Sequence, residues 1–171
     1  MKLPRTLALM SLFSLLFGFA HAEPLKIGDK APVVSATTDE GKTLNLGEVY
    51  KKNDYTLVWF YPRALTGGCT KQGCSLRDAS ADLKKHGVAV VGVSNDPVEK
   101  QKEFKDKENF PFPLLADTEQ KVIKAFGQPG GRAAAREAYL IDRSGKVVYH
   151  DEKQTDKQAE KVLAFLKSKK S

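Results

Sequence analysis

The sequence predicts an α/β sandwich, a central mixed β-sheet flanked by helices, and three observations lead there. The runs Tyr55–Phe60 and Val88–Val93 are β-branched or aromatic with little alternation, as in central strands buried on both faces. Between them lies a helical period, with Leu76 and Leu83 seven apart and Ala79 in the middle. Beyond Ala138 the chain reads as a hairpin and then an amphipathic helix.

Taken in order, Val33–Ala36 and Thr43–Asn45 read as short strands around the turn Asp39-Glu40-Gly41. Pro62 stops the strand Tyr55–Phe60. A helix runs from Cys69 to about Lys85, with Gly87 as its C-cap. Asp96-Pro97 opens another, because Pro suits the first helical position. Phe112–Asp117 gives a short core strand, and a helix near Gln120–Phe126 follows. Ala138–Ile141 and Val147–His150 flank Asp142-Arg143-Ser144-Gly145, a hairpin turn. In the last helix, Thr155–Lys167, Ala159, Val162, Leu163 and Leu166 keep the spacing of one inward stripe.

The first 22 of the 171 residues stand apart from this pattern. Lys2 and Arg5 are basic, Leu7–Phe19 is almost entirely apolar, and Ala20-His21-Ala22 has the small-x-small form of a signal-peptidase site. The expectation is a cleavable export signal over 1–22 and one domain over 23–171. An uncleaved anchor is the competing reading, but the apolar run falls short of the ~20 residues a span needs. Cleavage removes two basic residues and lowers the formal charge from +7 to +5. Much of that excess sits in the tail, at Lys161, Lys167, Lys169 and Lys170, as expected of a solvated helix end. No run of Arg interleaved with aromatics points to nucleic acid.

The chain has two cysteines, Cys69 and Cys74, on the segment Tyr61-Pro62-Arg63-Ala64-Leu65-Thr66-Gly67-Gly68-Cys69-Thr70-Lys71-Gln72-Gly73-Cys74. Gly67 and Gly68 lie in a loop where the backbone can approach a ligand closely. Cys69 falls in the first turn of a helix, where unpaired N–H groups and the positive dipole end favour thiolate over thiol. Ionisation alone is a limited gain. A free thiol is about 3% thiolate at pH 7, so full ionisation yields only about 30-fold. Fast attack by such a sulfur needs donors aimed at the charge that develops as a bond breaks, each worth about 3 kcal/mol in comparable sites. The Thr66 hydroxyl and the Cys69 N–H are candidates, with a guanidinium from elsewhere to complete the set.

Oxidised Cys69 would be a sulfenic acid, which condenses with a nearby thiol. In an α-helix, residues five apart are ~7.5 Å apart along the axis, so Cys69 and Cys74 exceed the ~7 Å Cα limit for a disulfide. Bonding then requires the first helical turns to unwind. A structural staple is the alternative. So small a loop contributes only about 2 kcal/mol, nearly cancelled by the several backbone bonds lost at roughly 1 kcal/mol each. A metal site would draw on these thiols, but the chain after residue 22 adds only His86 and His150. The Cys-x-x-Cys pattern of disulfide exchangers is absent.

Pro62, Thr66 and Cys69 match the Pro-x-x-x-Thr-x-x-Cys signature of the peroxiredoxins. With Cys74 five positions on and Arg77-Asp78 following, the chain resembles the bacterioferritin comigratory protein or Q-type subfamily across essentially all of residues 23–171, including Phe112–Asp117 and Tyr139–Asp142. The resemblance implies a thioredoxin-like fold and a thiol peroxidase acting on hydrogen peroxide and organic hydroperoxides without a cofactor. It implies Cys69 as peroxidatic and Cys74 as resolving residue, closing an intramolecular disulfide. It places the family's active-site arginine at Arg136, three residues before Tyr139, with Arg132 as second candidate. Two departures stand out: Gly67 where the family usually has Pro, and Gln72 where many relatives carry a Glu that holds the arginine.

A non-enzymatic exported redox or copper-handling module of the same fold is the alternative, and a purely structural export domain a third. The expected partners are a peroxide and a thioredoxin-like reductant outside the cytoplasm. The expected location is the bacterial periplasm or another extracytoplasmic space. A resolving Cys in the same chain needs no second subunit, so a monomer is expected, with no stable membrane anchor and no nucleic acid.

Overall fold

The computed structural model describes residues 23–169. The candidate signal and cleavage site, 1–22, and Lys170 lie outside the described residues. The strands are β1 (Ser35–Thr38), β2 (Thr43–Asn45), β3 (Tyr55–Phe60), β4 (Val88–Ser94), β5 (Leu114–Ala116), β6 (Glu137–Asp142) and β7 (Val147–Glu152). The helices are α1 (Leu46–Lys52), α2 (Gly67–Asp78), α3 (Ser80–Lys85), α4 (Val98–Glu108), α5 (Lys121–Ala125) and α6 (Gln158–Ser168).

The strands form one seven-stranded sheet in the order β2-β1-β5-β4-β3-β6-β7. β3 pairs with β4, and β4 with β5, in parallel, while the remaining pairs are antiparallel. The sheet is therefore mixed, as the sequence predicts. Leu57 and Trp59 pack on one face with Leu76, Leu83, Phe104, Val162 and Leu166, which belong to α2, α3, α4 and α6. Val58 and Phe60 pack on the other with Tyr50 of α1 and Ile123 of α5. Helices on both faces explain why β3 shows no polar alternation.

Several boundaries differ from the sequence reading. β1 starts at Ser35 instead of Val33, and Val33 is exposed. The single helix expected from Cys69 to Lys85 is two, broken at Ala79, whose ψ of 7° leaves the helical range. The apolar period survives the break, since Leu76 and Leu83 are both buried, so periodicity could not reveal it. Pro97 is the N-cap of α4, one residue before the helix proper. Helix α1 has no counterpart in the sequence reading. It is seven residues long, capped by the Asn45 side chain accepting from the Glu48 N–H, and too short to display a period. Gly87, with φ of 69°, closes α3 as expected. Gly67 and Gly68 form the first two residues of α2, so the left-handed turn before the helix falls on Leu65, with φ of 63°.

Candidate active site

The segment that leaves β3 is pinned from below before it reaches the helix. Tyr61 is fully buried and its hydroxyl bonds Gln101 Oε1. Gln101 Nε2 donates to Ser94 Oγ (2.8 Å), and Ser94 Oγ donates to Asp96 Oδ2 (2.8 Å). Asp96 Oδ2 also accepts the Ala64 N–H at 2.7 Å, which ties the loop after Pro62 to the end of β4. Leu65 then reverses the backbone. A left-handed Leu costs on the order of 1 kcal/mol, and its side chain packing on the core offsets this. Thr66, extended at φ −104° and ψ 149°, is the N-cap.

Cys69 is the third residue of α2, inside the turn whose N–H groups have no carbonyl behind them in the helix. Its side chain is fully buried. Arg136, immediately before β6, donates from Nη2 to Cys69 Sγ at 3.3 Å and from Nη1 to Gln72 Oε1 at 2.7 Å. The planar guanidinium thus holds the sulfur with one nitrogen and a buried amide with the other. Gly68 permits this approach, because a Cβ there would stand 3.1 Å from Arg136 Nη2. Arg132 stays exposed on the preceding loop, where its carbonyl accepts from Asn95 Nδ2 at 3.0 Å.

The other predicted residues are placed as follows. Pro62 is half-buried and follows the strand directly. The Thr66 hydroxyl donates to the Arg63 carbonyl at 2.9 Å, so its proton is engaged within the loop and not with the sulfur. Cys74 is half-buried on the same helix as Cys69, and both thiols are free. Its Sγ lies 3.6 Å from Glu108 Oε2 at the end of α4. Burial pushes the Cys74 thiol up, the Glu108 carboxylate adds to this, and Arg77 pulls it the other way. Arg77 is drawn to the same place, donating to the Glu108 carbonyl at 2.7 Å. Sequence reasoning did not find Glu108, a charged residue in a highly charged helix with nothing local to mark it.

The described residues contain no group of three or more His, Cys, Asp and Glu that could hold a metal ion. No helix among them is long and apolar enough to cross a membrane.

The AhpC/TSA family matches residues 27–150. Over 153 residues the chain is 39% identical to peroxiredoxin Bcp of Escherichia coli (strain K12), covering 84% of this chain and 97% of that protein. It is 36% identical over 146 residues to chloroplastic peroxiredoxin Q of Suaeda salsa, covering 82% of this chain and 67% of that one. The crystal structure of peroxidoxin BcpB from Mycobacterium tuberculosis superposes with a TM-score of 0.79 at 31% identity, over 86% of this chain and 99% of that one. The fold is therefore thioredoxin-like, and the chain belongs to the AhpC/TSA family as a peroxiredoxin of the Bcp and Q kind, a thiol-dependent peroxidase.

Proposed function

We propose that Cys69 is the peroxidatic nucleophile and Cys74 the resolving thiol of this peroxidase. The observation that carries the reading is Arg136 Nη2 at 3.3 Å from Cys69 Sγ in the first turn of α2. The guanidinium is a charged donor to the sulfur at the head of the helix. The Cys69 thiolate attacks the terminal oxygen of the peroxide. An S–O bond forms, the O–O bond breaks, and the leaving oxygen departs as water or an alcohol once protonated. Arg136 also faces the negative charge that spreads over the oxygens as they separate. Cys74 then attacks the sulfenic sulfur, an S–S bond forms, and water leaves.

That second step asks α2 to unwind from Cys69 to Cys74, since an intact helix keeps the two apart. The full burial of Cys69 supports the same order of events. A protein reductant cannot reach a fully buried sulfur and needs the opened disulfide, with the half-exposed Cys74 the accessible side. A dithiol protein of the thioredoxin kind supplies the two electrons that restore both thiols. We place this cycle outside the cytoplasm and in a monomer. The basic, apolar and small-x-small succession of residues 1–22 supports export, and the resolving thiol on the same helix supports the monomer.

Mass spectrometry of the thiols after one equivalent of hydrogen peroxide tests the assignment. A Cys69–Cys74 disulfide is expected, a sulfenic acid at Cys69 in Cys74→Ser, and no oxidation in Cys69→Ser. Peroxide consumption by Cys69→Ser at the native rate would refute it. Fractionation of producing cells, with the N-terminus of the product determined, tests export.

A further inference from the structure

The bonds that hold Arg136 do not end at Gln72. Gln72 Nε2 donates to Gln158 Oε1 at 3.0 Å. Gln158 Nε2 donates to both oxygens of Asp151, at 3.1 and 2.9 Å. Asp151 Oδ2 accepts a further bond from the Tyr149 hydroxyl at 2.7 Å. Gln72 and Gln158 are both fully buried, one on α2 and the other the first residue of α6. Asp151 is half-buried on β7.

The direction of this chain is set by its ends. A guanidinium only donates and an ionised carboxylate only accepts. Between them, each glutamine must turn its carbonyl toward Arg136 and its amide nitrogen toward Asp151. No other arrangement satisfies every group, and buried amides left unsatisfied are costly. A carboxylate next to the arginine is what Gln72 lacks. Asp151 supplies one at the far end of the two amides, where chained bonds polarise one another in the buried interior.

We propose that Gln158 and Asp151 are positioning residues for the peroxidatic site, holding Arg136 against Cys69 through Gln72. The inference rests on the proposed roles of Cys69 and Arg136. It explains how Gln72 serves in place of a glutamate, and why a glutamate at that position is incompatible with Asp151. A carboxylate at position 72 would present an acceptor to one end of the Gln158 amide while Asp151 presents another to the opposite end. The carbonyl end of an amide has no proton to donate, so one of the two contacts would be lost.

The test is a polarity-reversal cycle of Gln72→Glu, Asp151→Asn and the double variant. Each single change lowers kcat/KM for hydrogen peroxide about fivefold, so independent effects would multiply to about 25-fold. In the double variant the chain runs the other way. The new asparagine amide donates to Gln158, and Gln158 donates to the new carboxylate beside Arg136. Its kcat/KM returns to within about twofold of the native value. Only the peroxide step is affected: single-turnover oxidation of Cys69 slows, reduction of the disulfide by a dithiol does not, and the melting temperatures stay within a few degrees.

Losses that simply multiply in the double variant, or an Asp151→Asn protein with native kcat/KM, would overturn the proposal. Arg136→Met serves as the control. If it too leaves kcat/KM unchanged, the site assignment itself fails; if it alone is impaired, the relay alone is wrong.

Discussion

Cys69 Sγ faces the guanidinium of Arg136 at 3.3 Å, while Cys74 Sγ, farther along the same helix, faces the carboxylate of Glu108 at 3.6 Å. The two thiols are thus set in opposite fields. Cys69 meets a charged donor, while burial and the Glu108 carboxylate encourage Cys74 to keep its proton.

Removing the Glu108 charge should therefore lower the titration of Cys74. Glu108→Gln in a Cys69→Ser background is expected to alkylate faster with iodoacetamide at about pH 8, near the ordinary thiol range, than Cys69→Ser alone. The shift also has a stability consequence. A thiol raised in the folded state stabilises it below the ordinary thiol range, and that contribution is lost as pH rises through the raised value. The reduced protein should lose stability above about pH 8.5, and less steeply in Glu108→Gln. Identical alkylation profiles would count against the ion–thiol contact.

Arg136→Lys should behave as a severe change, although it keeps the charge. A single ammonium cannot reach both Cys69 Sγ and Gln72 Oε1, which two guanidinium nitrogens now do. We expect kcat/KM for peroxide to fall about 10²- to 10³-fold, the range seen when one preorganised donor is lost. Single-turnover oxidation followed by stopped flow gives the value directly. A loss below about threefold would mean that charge alone suffices.

Gly67→Pro should stabilise the reduced protein. Gly67 is the first residue of α2, where Pro is favoured, and a Cβ there meets nothing within 4 Å. Thr66 before it is already extended, as a residue preceding Pro should be. The gain is about 0.5–1 kcal/mol, mainly from restricting the unfolded chain, or roughly 2 °C in melting temperature. Thermal denaturation of the reduced variant checks this, and a lower Tm would show strain that the backbone does not reveal.

Gly73→Ala should do the reverse. An added Cβ would lie 2.4 Å from Phe110 Cζ, inside a stack where Phe110 also meets Phe112 at 5.2 Å between ring centres. Overpacking of this kind costs about 1–3 kcal/mol. Urea denaturation should show a lower midpoint at unchanged slope, and an unchanged midpoint would mean that Phe110 moves aside freely.

Much of the fold was legible because its signals are local. Tyr55–Phe60 is β3 to the residue, and the second buried strand gains only Ser94 at its end. Gln158 shows where a signal was available but unread. It lies four residues before Val162 and eight before Leu166, on the inward stripe of α6, and a glutamine at such a position must find a buried partner. The two glycines lie in the first turn of α2 and not in a loop before it. The left-handed residue before the helix is Leu65, where the core contact of its side chain outweighs the local strain.

By itself the sequence determined the sheet strands, the thiol at the head of a helix and the second thiol on that helix, all matters of close neighbours along the chain. Only the tertiary structure decided what surrounds those thiols. Glu108, Gln158 and Asp151 come from three places far from α2 in the chain, and no periodicity connects them. A side chain acts on a charge only within a few ångströms, and which side chains come that close is settled by packing the helices onto the sheet.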